Sequence, residues 1–237
     1  MNVWMRATAL FVVAAIWAAC GGGGGRPFDG VRAVVVNSLG EDVSLIADDE
    51  VDAVYVATPH PHHCEATLAC LEAGKAVLCE KPLGMNTAEA RELLDAAGRH
   101  PELKVMEGFM YRHHPQWQRA KLLVDRGKIG ELRAIQSFFA YYNVVPANIR
   151  NRPELGGGAL MDIGCYAVSL ARWLFEAEPL SVCGVTEVDP VFQTDRQVSG
   201  IMTFGAGTAT FTCGTQLAPF QRVNILGTDG RIEIEIP

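Results

Sequence analysis

The stretch VDAVYVATPHPHHCEATLACLEAGKAVLCE, residues 51–80, decides the fold class of this chain. Residues 51–58 are almost continuously apolar and rich in β-branched side chains, which is typical of a strand buried on both faces. Residues 62–73 then predict a helix that ends at Gly74, and residues 76–80 predict a second strand. This order predicts a βαβ unit, in which a crossover helix joins two parallel strands.

The same alternation extends along the first half of the chain. Further helices are predicted at residues 41–47, 87–99 and 115–127, and a further strand at 104–109. Thr87 is the candidate N-cap of the helix at 87–99, because threonine can accept a hydrogen bond from the first backbone N–H groups of a helix. The pattern indicates a Rossmann-like α/β domain with a parallel sheet.

Three polar side chains, Thr58, Lys81 and Tyr111, lie just past predicted strand ends. Ligands of parallel sheets bind outside the carboxyl ends of the strands, so we expect these three on one ligand-binding rim. Lys81 precedes Pro82, which disfavours the helical region for Lys81 and should present its side chain at the strand end. The alternative is a salt-bridged surface turn formed by Glu80 and Lys81.

The second half of the chain has a different pattern. A long strand at 131–144 precedes a helix at 159–175, and several strands joined by short turns follow. The turns at Gly205–Gly207 and Asp229–Gly230 predict a mostly antiparallel, open sheet. We therefore expect an α/β domain followed by an α+β domain. The expected segments are an atypical N-terminal part (1–36), the Rossmann-like domain (37–114) and the α+β domain (115–237).

Composition narrows the possible partners. The net charge of −7 argues against nucleic acid and against an acidic membrane surface. The seven cysteines form no C-x-x-C pair, and scattered thiols fit a reducing compartment, which predicts a cytoplasmic protein. Histidines cluster in TPHPHH (58–63) and YRHHP (111–115), but they lack the spacing and the acidic or cysteine partners of a metal site, so no metal is predicted.

The N-terminal segment departs from the pattern. Residues 7–20 form an uncharged apolar run that resembles the core of a signal peptide, and WAAC (17–20) loosely resembles a lipoprotein cleavage box. A buried strand or helix is the alternative. The glycines at 21–25 do not fit a G-x-G-x-x-G frame that opens a helix, so they predict a linker or a disrupted sequence, not a phosphate-binding loop.

A second informative motif is GGGALMDIGCYAV, residues 156–168. Asp162 and Tyr166 are four residues apart and should share one face of a helix. The glycines allow a ligand to approach the backbone closely. The alternative is structural: Asp162 caps the helix, and Tyr166 packs in the core with its hydroxyl group hydrogen-bonded.

Four stretches in this order, VDAVYVATPHPHH, AGKAVLCEKPLG, EGFMYRHHP and GGGALMDIGCYAV, resemble the Gfo/Idh/MocA oxidoreductases over about residues 37–237. The resemblance favours the branch of glucose–fructose oxidoreductase, NADP-dependent D-xylose dehydrogenase and dimeric dihydrodiol dehydrogenase. It implies a nicotinamide between the two domains, and catalytic roles for Lys81, Asp162 and Tyr166. The residues that it implies for cofactor binding are Ala57, Thr58, Pro59, His63, Glu80, Lys81, Tyr111 and Arg112.

The function implied is hydride transfer between NADP (or NAD) and a carbinol of a sugar or cyclic diol, by a protein that forms a homodimer through its open sheet. Free tyrosine titrates near about pH 10, too high for an efficient base, and a neighbouring ammonium group lowers the pKa of a tyrosine. We therefore expect Lys81, Asp162 and Tyr166 to converge, with Lys81 assisting Tyr166 as the base and Asp162 orienting the substrate hydroxyl or holding Lys81.

Two departures from the family pattern leave alternatives open. The glycine motif and the cofactor selector are not recognisable in residues 1–36, and the family usually continues well past the position of Pro237. The chain could be a truncated, catalytically inactive member without a competent nucleotide site. It could also be an exported sugar-binding lipoprotein, and only in that case would it be attached to a membrane.

Overall fold

The computed structural model describes residues 32–37 and 46–236. The chain forms two compact units, one that ends at Phe109 and one that begins at Met110. The predictions for the apolar run and the glycine run lie outside the described residues, as does almost all of the helix predicted at 41–47.

The first unit is built on a parallel sheet, as the alternation of strands and helices predicts. Its strands lie in the order β1-β2-β3-β4, and each neighbouring pair is parallel. Val54 and Val56 of β2 pack in one core cluster and Ala53 in another, so β2 is buried on both faces. The strands are β1 (Ala33–Val36), β2 (Ala53–Val56), β3 (Ala76–Cys79) and β4 (Val105–Glu107), and the helices between them are α1 (His63–Glu72) and α2 (Thr87–Arg99).

The predicted N-cap of α2 is wrong by one residue. Asn86, not Thr87, has the extended backbone of a cap, and its Oδ1 atom accepts hydrogen bonds from the N–H groups of Ala88 (2.9 Å) and Glu89 (3.0 Å). Glu89 returns the contact by accepting from the Asn86 side-chain amide at 3.0 Å. This reciprocal pair leaves Thr87 as the first residue inside the helix.

The second unit is built on a six-stranded sheet in the order β10-β9-β5-β8-β7-β6. Only the β5–β8 pair is parallel, so the expected, mostly antiparallel sheet is confirmed. A π-helical turn, Leu160–Gly164, leads directly into α4, so the helix predicted at 159–175 is present with a wider first turn. The elements are α3 (Pro115–Asp125), β5 (Leu132–Tyr142), α4 (Cys165–Phe175), β6 (Ser181–Val188), β7 (Asp195–Thr203), β8 (Thr208–Gly214), β9 (Gln216–Gly227) and β10 (Arg231–Ile234).

The two faces of the six-stranded sheet differ. One face carries buried apolar side chains, such as Ile135 and Ile225, which belong to the same core cluster as Leu170 and Leu174 of α4. The opposite face leaves apolar side chains accessible, among them Phe220 and Ile201. Among the described residues, no helix combines the length and the apolar character that crossing a membrane requires.

Candidate active site

The edge formed by the carboxyl ends of β2 and β3 carries two predicted site residues. Thr58 and Lys81 each lie two residues beyond the end of a strand, and β2 and β3 are parallel neighbours. The side chain of His63 connects the two turns: its Nδ1 atom lies 2.6 Å from the Pro82 carbonyl oxygen and its Nε2 atom 2.9 Å from the Thr58 carbonyl oxygen. The structure therefore brings Thr58 and the Lys81–Pro82 turn together on one edge of the sheet.

His63 supports this edge from inside the fold. Its ring is fully buried, and both nitrogens lie within hydrogen-bonding distance of backbone carbonyl oxygens. The arrangement suits a residue that positions the two turns. Ala57 and Pro59 flank Thr58 on the same turn, where the Ala57 N–H group donates to the Val36 carbonyl at 2.8 Å and Pro59 precedes a 3₁₀ turn.

Thr58 offers the clearest sign of a ligand at this edge. The residue is only 5% exposed, and its Oγ1 atom is buried without a hydrogen-bond partner among the residues that the structure describes. A buried hydroxyl group that lacks a partner is costly, because it has lost its bonds to water. A polar ligand group bound beyond the end of β2 would remove this cost.

Glu80 and Lys81 occupy the turn after β3. The Tyr55 hydroxyl of the neighbouring strand donates to Glu80 Oε1, and the Lys81 N–H group donates to Glu80 Oε2 at 3.3 Å. Lys81 itself is half-buried, and its peptide bond to Pro82 is cis. Both oxygens of the Glu80 carboxylate thus accept hydrogen bonds at the strand end, while Lys81 occupies the turn that His63 contacts.

In the second unit, Asp162 is the centre of a polar cluster. It lies in the π-helical turn and is 4% exposed. Its Oδ2 atom accepts a hydrogen bond from the Tyr141 hydroxyl at 2.6 Å and one from Arg150 Nε at 2.8 Å. Asp162 is therefore not the helix cap of the structural alternative. The carboxylate of Asp195 meets the helix start instead, accepting from the Leu160 N–H group at 2.7 Å.

The electrostatics of the cluster keep its two donors protonated. Burial, together with the hydrogen bond to Asp162 and its negative charge, raises the pKa of Tyr141 well above its ordinary value. Burial by itself lowers the pKa of Arg150, but the charge and hydrogen bond of Asp162 outweigh it, and Tyr141 and Tyr166 add to the increase.

Tyr166 stands at the edge of an aromatic group. Its ring centre lies 6.0 Å from that of Tyr111 and 6.3 Å from that of Phe139. Tyr111 also contacts Trp117 and Trp173, at 5.4 and 5.8 Å between ring centres. Trp117 belongs to the core of the second unit, and Tyr111, Phe139 and Trp173 pack against that core.

Tyr111 and Arg112 belong to the second unit, where both contact Ser169 of α4. The Tyr111 hydroxyl lies 3.0 Å from Ser169 Oγ, and Arg112 Nη2 donates to the same atom at 2.9 Å. Burial raises the pKa of Tyr111, although the hydrogen bonds from Ser169 and Arg112 oppose the shift. The Arg112 guanidinium also lies 5.7 Å from the centre of the Trp173 ring.

Three residues of the site, Tyr141, Arg150 and Ser169, are not predicted by the sequence motifs. Tyr141 comes from the end of β5 and Arg150 from a 3₁₀ turn, and they precede Asp162 by 21 and 12 residues. No local periodicity links positions so far apart. One signal was present: a buried carboxylate needs a cation or hydrogen-bond donors, so a buried Asp162 calls for partners of this kind.

The chain matches two family models that together span most of its length. Residues 13–109 match the oxidoreductase family with an NAD-binding Rossmann fold, and residues 117–233 match the GFO/IDH/MocA C-terminal domain. The first match begins at residue 13 and therefore includes the glycine run at 21–25, whereas the motifs resemble the family only from about residue 37 onward. The Rossmann fold and the following sheet domain are both confirmed.

Three similar proteins illustrate the relationship. Trans-1,2-dihydrobenzene-1,2-diol dehydrogenase of Xenopus laevis is 35% identical over 84% of this chain and 60% of its own length. D-xylose 1-dehydrogenase (NADP(+)) 2 of Haloferax volcanii is 35% identical over 84% of this chain and 61% of its own length. The crystal structure of a mutant 3-ketoreductase from Actinomadura kijaniata, in complex with TDP-benzene and NADP, has a TM-score of 0.72 and 34% identity over 80% of this chain and 58% of that one.

The chain spans about 60% of the length of the first two of these relatives. Within the described residues, the first unit fits a nicotinamide dinucleotide at the edge where Thr58 Oγ1 is buried and unpartnered. Thr58 and the turn around Lys81 would hold the cofactor there. Because both units match models of one family, the chain belongs to the Gfo/Idh/MocA oxidoreductases.

Proposed function

We propose that this protein is an NADP-dependent dehydrogenase that oxidises a carbinol of a sugar or of a cyclic diol. The observation that carries the proposal is the buried Asp162, which accepts hydrogen bonds from Tyr141 and Arg150 and precedes Tyr166 by four residues on the same helical segment. Such a cluster supplies a candidate base together with fixed groups that orient a hydroxyl-rich substrate. Two similar proteins, a diol dehydrogenase and a D-xylose dehydrogenase, support this substrate class.

Oxidation of a carbinol removes a hydride from carbon and a proton from oxygen. The nicotinamide, when bound, accepts the hydride. We propose that Tyr166, in its tyrosinate form, accepts the proton of the substrate hydroxyl group. We assign to the Lys81 ammonium group the role of stabilising that tyrosinate. Asp162 orients the substrate indirectly, because it fixes Arg150 at 2.8 Å and accepts from Tyr141 at 2.6 Å.

NADP is the proposed cofactor because two of the similar proteins name it, one as its co-substrate and one as a bound ligand. Titration of purified protein into NADPH and NADH, followed by nicotinamide fluorescence, tests the proposal. We expect saturable binding that is tighter for NADPH. We also expect Thr58→Val to weaken binding by about tenfold, because it removes one hydrogen bond to a polar ligand group.

Thr87→Val is the matched control for this titration, since Thr87 is exposed on α2 and should leave cofactor binding unchanged. Absence of saturable binding for both nucleotides would contradict the proposal that the protein is a dehydrogenase. It would favour the two alternatives, a truncated and catalytically inactive family member or a sugar-binding lipoprotein. Oxidation of D-xylose and of trans-1,2-cyclohexanediol by NADP⁺ is the activity to measure.

We propose that two copies of the chain form a homodimer through the open face of the six-stranded sheet. Phe138 and Phe220 stack edge to face on it at 5.4 Å, and Phe220 is 49% exposed. Val185 on β6 shares this face and is 76% exposed. An accessible apolar patch of this kind is typical of an interface between subunits. Light scattering during gel filtration should give twice the mass of one chain for the wild-type protein. The Phe220→Asp variant should give the mass of a single chain, because a charged side chain would be buried in the interface. A monomeric wild-type protein would contradict the proposal.

We place the protein in the cytoplasm. Among the described residues every cysteine is a free thiol. Burial raises the pKa of Cys70, Cys79 and Cys213 to about 12 in each case, so these thiols stay protonated and unreactive. Free, inert thiols support a reducing compartment.

A further inference from the structure

We infer that Arg150 is a substrate-binding residue that donates hydrogen bonds to a hydroxyl oxygen next to the reacting carbinol, and that it thereby selects uncharged vicinal diols and sugars. The inference deepens the proposed function and rests on it. It concerns a residue to which neither the motifs nor the family resemblance assigned a role.

Arg150 has hydrogen-bond donors that are accessible to a ligand. A guanidinium group carries five N–H donors in one plane. The Nε donor is used by Asp162 Oδ2 at 2.8 Å. The four donors on the two Nη nitrogens make no hydrogen bond to any residue that the structure describes. The Arg150 side chain is 41% exposed, so these donors are accessible to a ligand.

Asp162 fixes the position of these donors. The side chain of Asp162 is 6% exposed and fixes the guanidinium plane from the buried side. Tyr166, the proposed base, follows Asp162 by four residues on the same continuous helical segment, Leu160–Phe175. Because Asp162 holds Arg150, we place the accessible donors of Arg150 on the side of the group to which we assign the substrate proton.

The charges of Arg150 and Asp162 compensate each other. Arg150 and Asp162 together form a neutral pair, so Arg150 carries no uncompensated positive charge that would require an anion. A carboxylate or phosphate on the substrate would be attracted by Arg150 and repelled by Asp162. A hydroxyl oxygen, in contrast, accepts a hydrogen bond without adding charge. The pair therefore favours an uncharged polyol.

The chemistry of the guanidinium group decides which substrate hydroxyl group Arg150 binds. Arg150 has donors only and cannot take up a proton, because its pKa is raised further by Asp162 although burial opposes the shift. The reacting hydroxyl needs a proton acceptor, which is the role given to Tyr166. The donors of Arg150 are consequently available for the oxygen on the neighbouring carbon.

The test compares Arg150→Lys, Arg150→Gln and wild type in steady-state oxidation of trans-1,2-cyclohexanediol and D-xylose by NADP⁺. Arg150→Lys keeps a cation beside Asp162 but removes the planar fork, and is expected to raise KM for the substrate that wild type uses best by about tenfold or more, with kcat within about threefold of wild type. Arg150→Gln should raise KM further. Because it removes the positive charge beside the buried Asp162 carboxylate, its folding is checked by thermal unfolding, and Arg150→Lys decides the result if Arg150→Gln does not fold.

Arg152→Gln is the matched control. Arg152 lies two residues further along, pairs with the exposed Glu154 at 2.8 Å, and should leave both constants unchanged. An unchanged KM in Arg150→Lys, or a loss confined to kcat, would overturn the inference, while wild-type turnover would still support the proposed function. A wild-type protein that oxidises neither substrate would defeat the proposed function, and the inference with it.

Discussion

Lys81→Met is expected to reduce kcat for sugar or diol oxidation by about 10²- to 10⁴-fold, the range that general acid–base catalysis contributes. Lys81 lies in the turn after β3, which the buried His63 ring ties to the Thr58 turn through the Pro82 carbonyl. Methionine keeps the length of the side chain and removes its charge. Without the ammonium group, tyrosinate at Tyr166 loses its proposed stabilisation, so the proton transfer slows.

The measurement separates chemistry from folding. Thermal unfolding of Lys81→Met should be close to that of wild type, since Lys81 is only half-buried. Lys104→Met is the matched control, because Lys104 is exposed just before β4, at the amino end of the same parallel sheet. A loss of less than about threefold for Lys81→Met, or an equal loss in both variants, would contradict a catalytic role for Lys81.

The parallel sheet could be predicted from sequence because its signals are local. A strand buried on both faces needs a continuous apolar run, and the run at 51–58 gives β2 at Ala53–Val56. Thr58 and Lys81 could then be placed on one edge from topology alone, since parallel neighbours end on the same side. The structure adds His63, whose buried ring explains how the two turns are held together.

Other features could not be predicted because they depend on side chains distant in sequence. Asn86 and Thr87 are both residues that cap helices, and only the extended backbone of Asn86 decides between them. The partners of Asp162 depend on where β5 ends and how the turn around Arg150 folds back, which no pattern within one element specifies. The π-helical turn that carries Asp162 has no distinct sequence period either.

Tyr166→Phe is expected to reduce kcat by an amount similar to Lys81→Met, about 10²- to 10⁴-fold, because it removes the oxygen that takes the proton. Phenylalanine keeps the ring contacts with Tyr111 at 6.0 Å and Phe139 at 6.3 Å, so the variant should fold, which thermal unfolding checks. Tyr142→Phe, at a tyrosine of the same unit that is 64% exposed, is the matched control and should retain full activity.

The double variant Lys81→Met/Tyr166→Phe shows whether the two residues act on the same proton. Residues that act as one unit have non-additive effects, so the double variant should lose about as much activity as either single variant. A loss equal to the product of the two single losses would mean that Lys81 serves the reaction independently of Tyr166. Full activity in Tyr166→Phe would assign Tyr166 a packing role, and the proton acceptor would then have to be sought elsewhere.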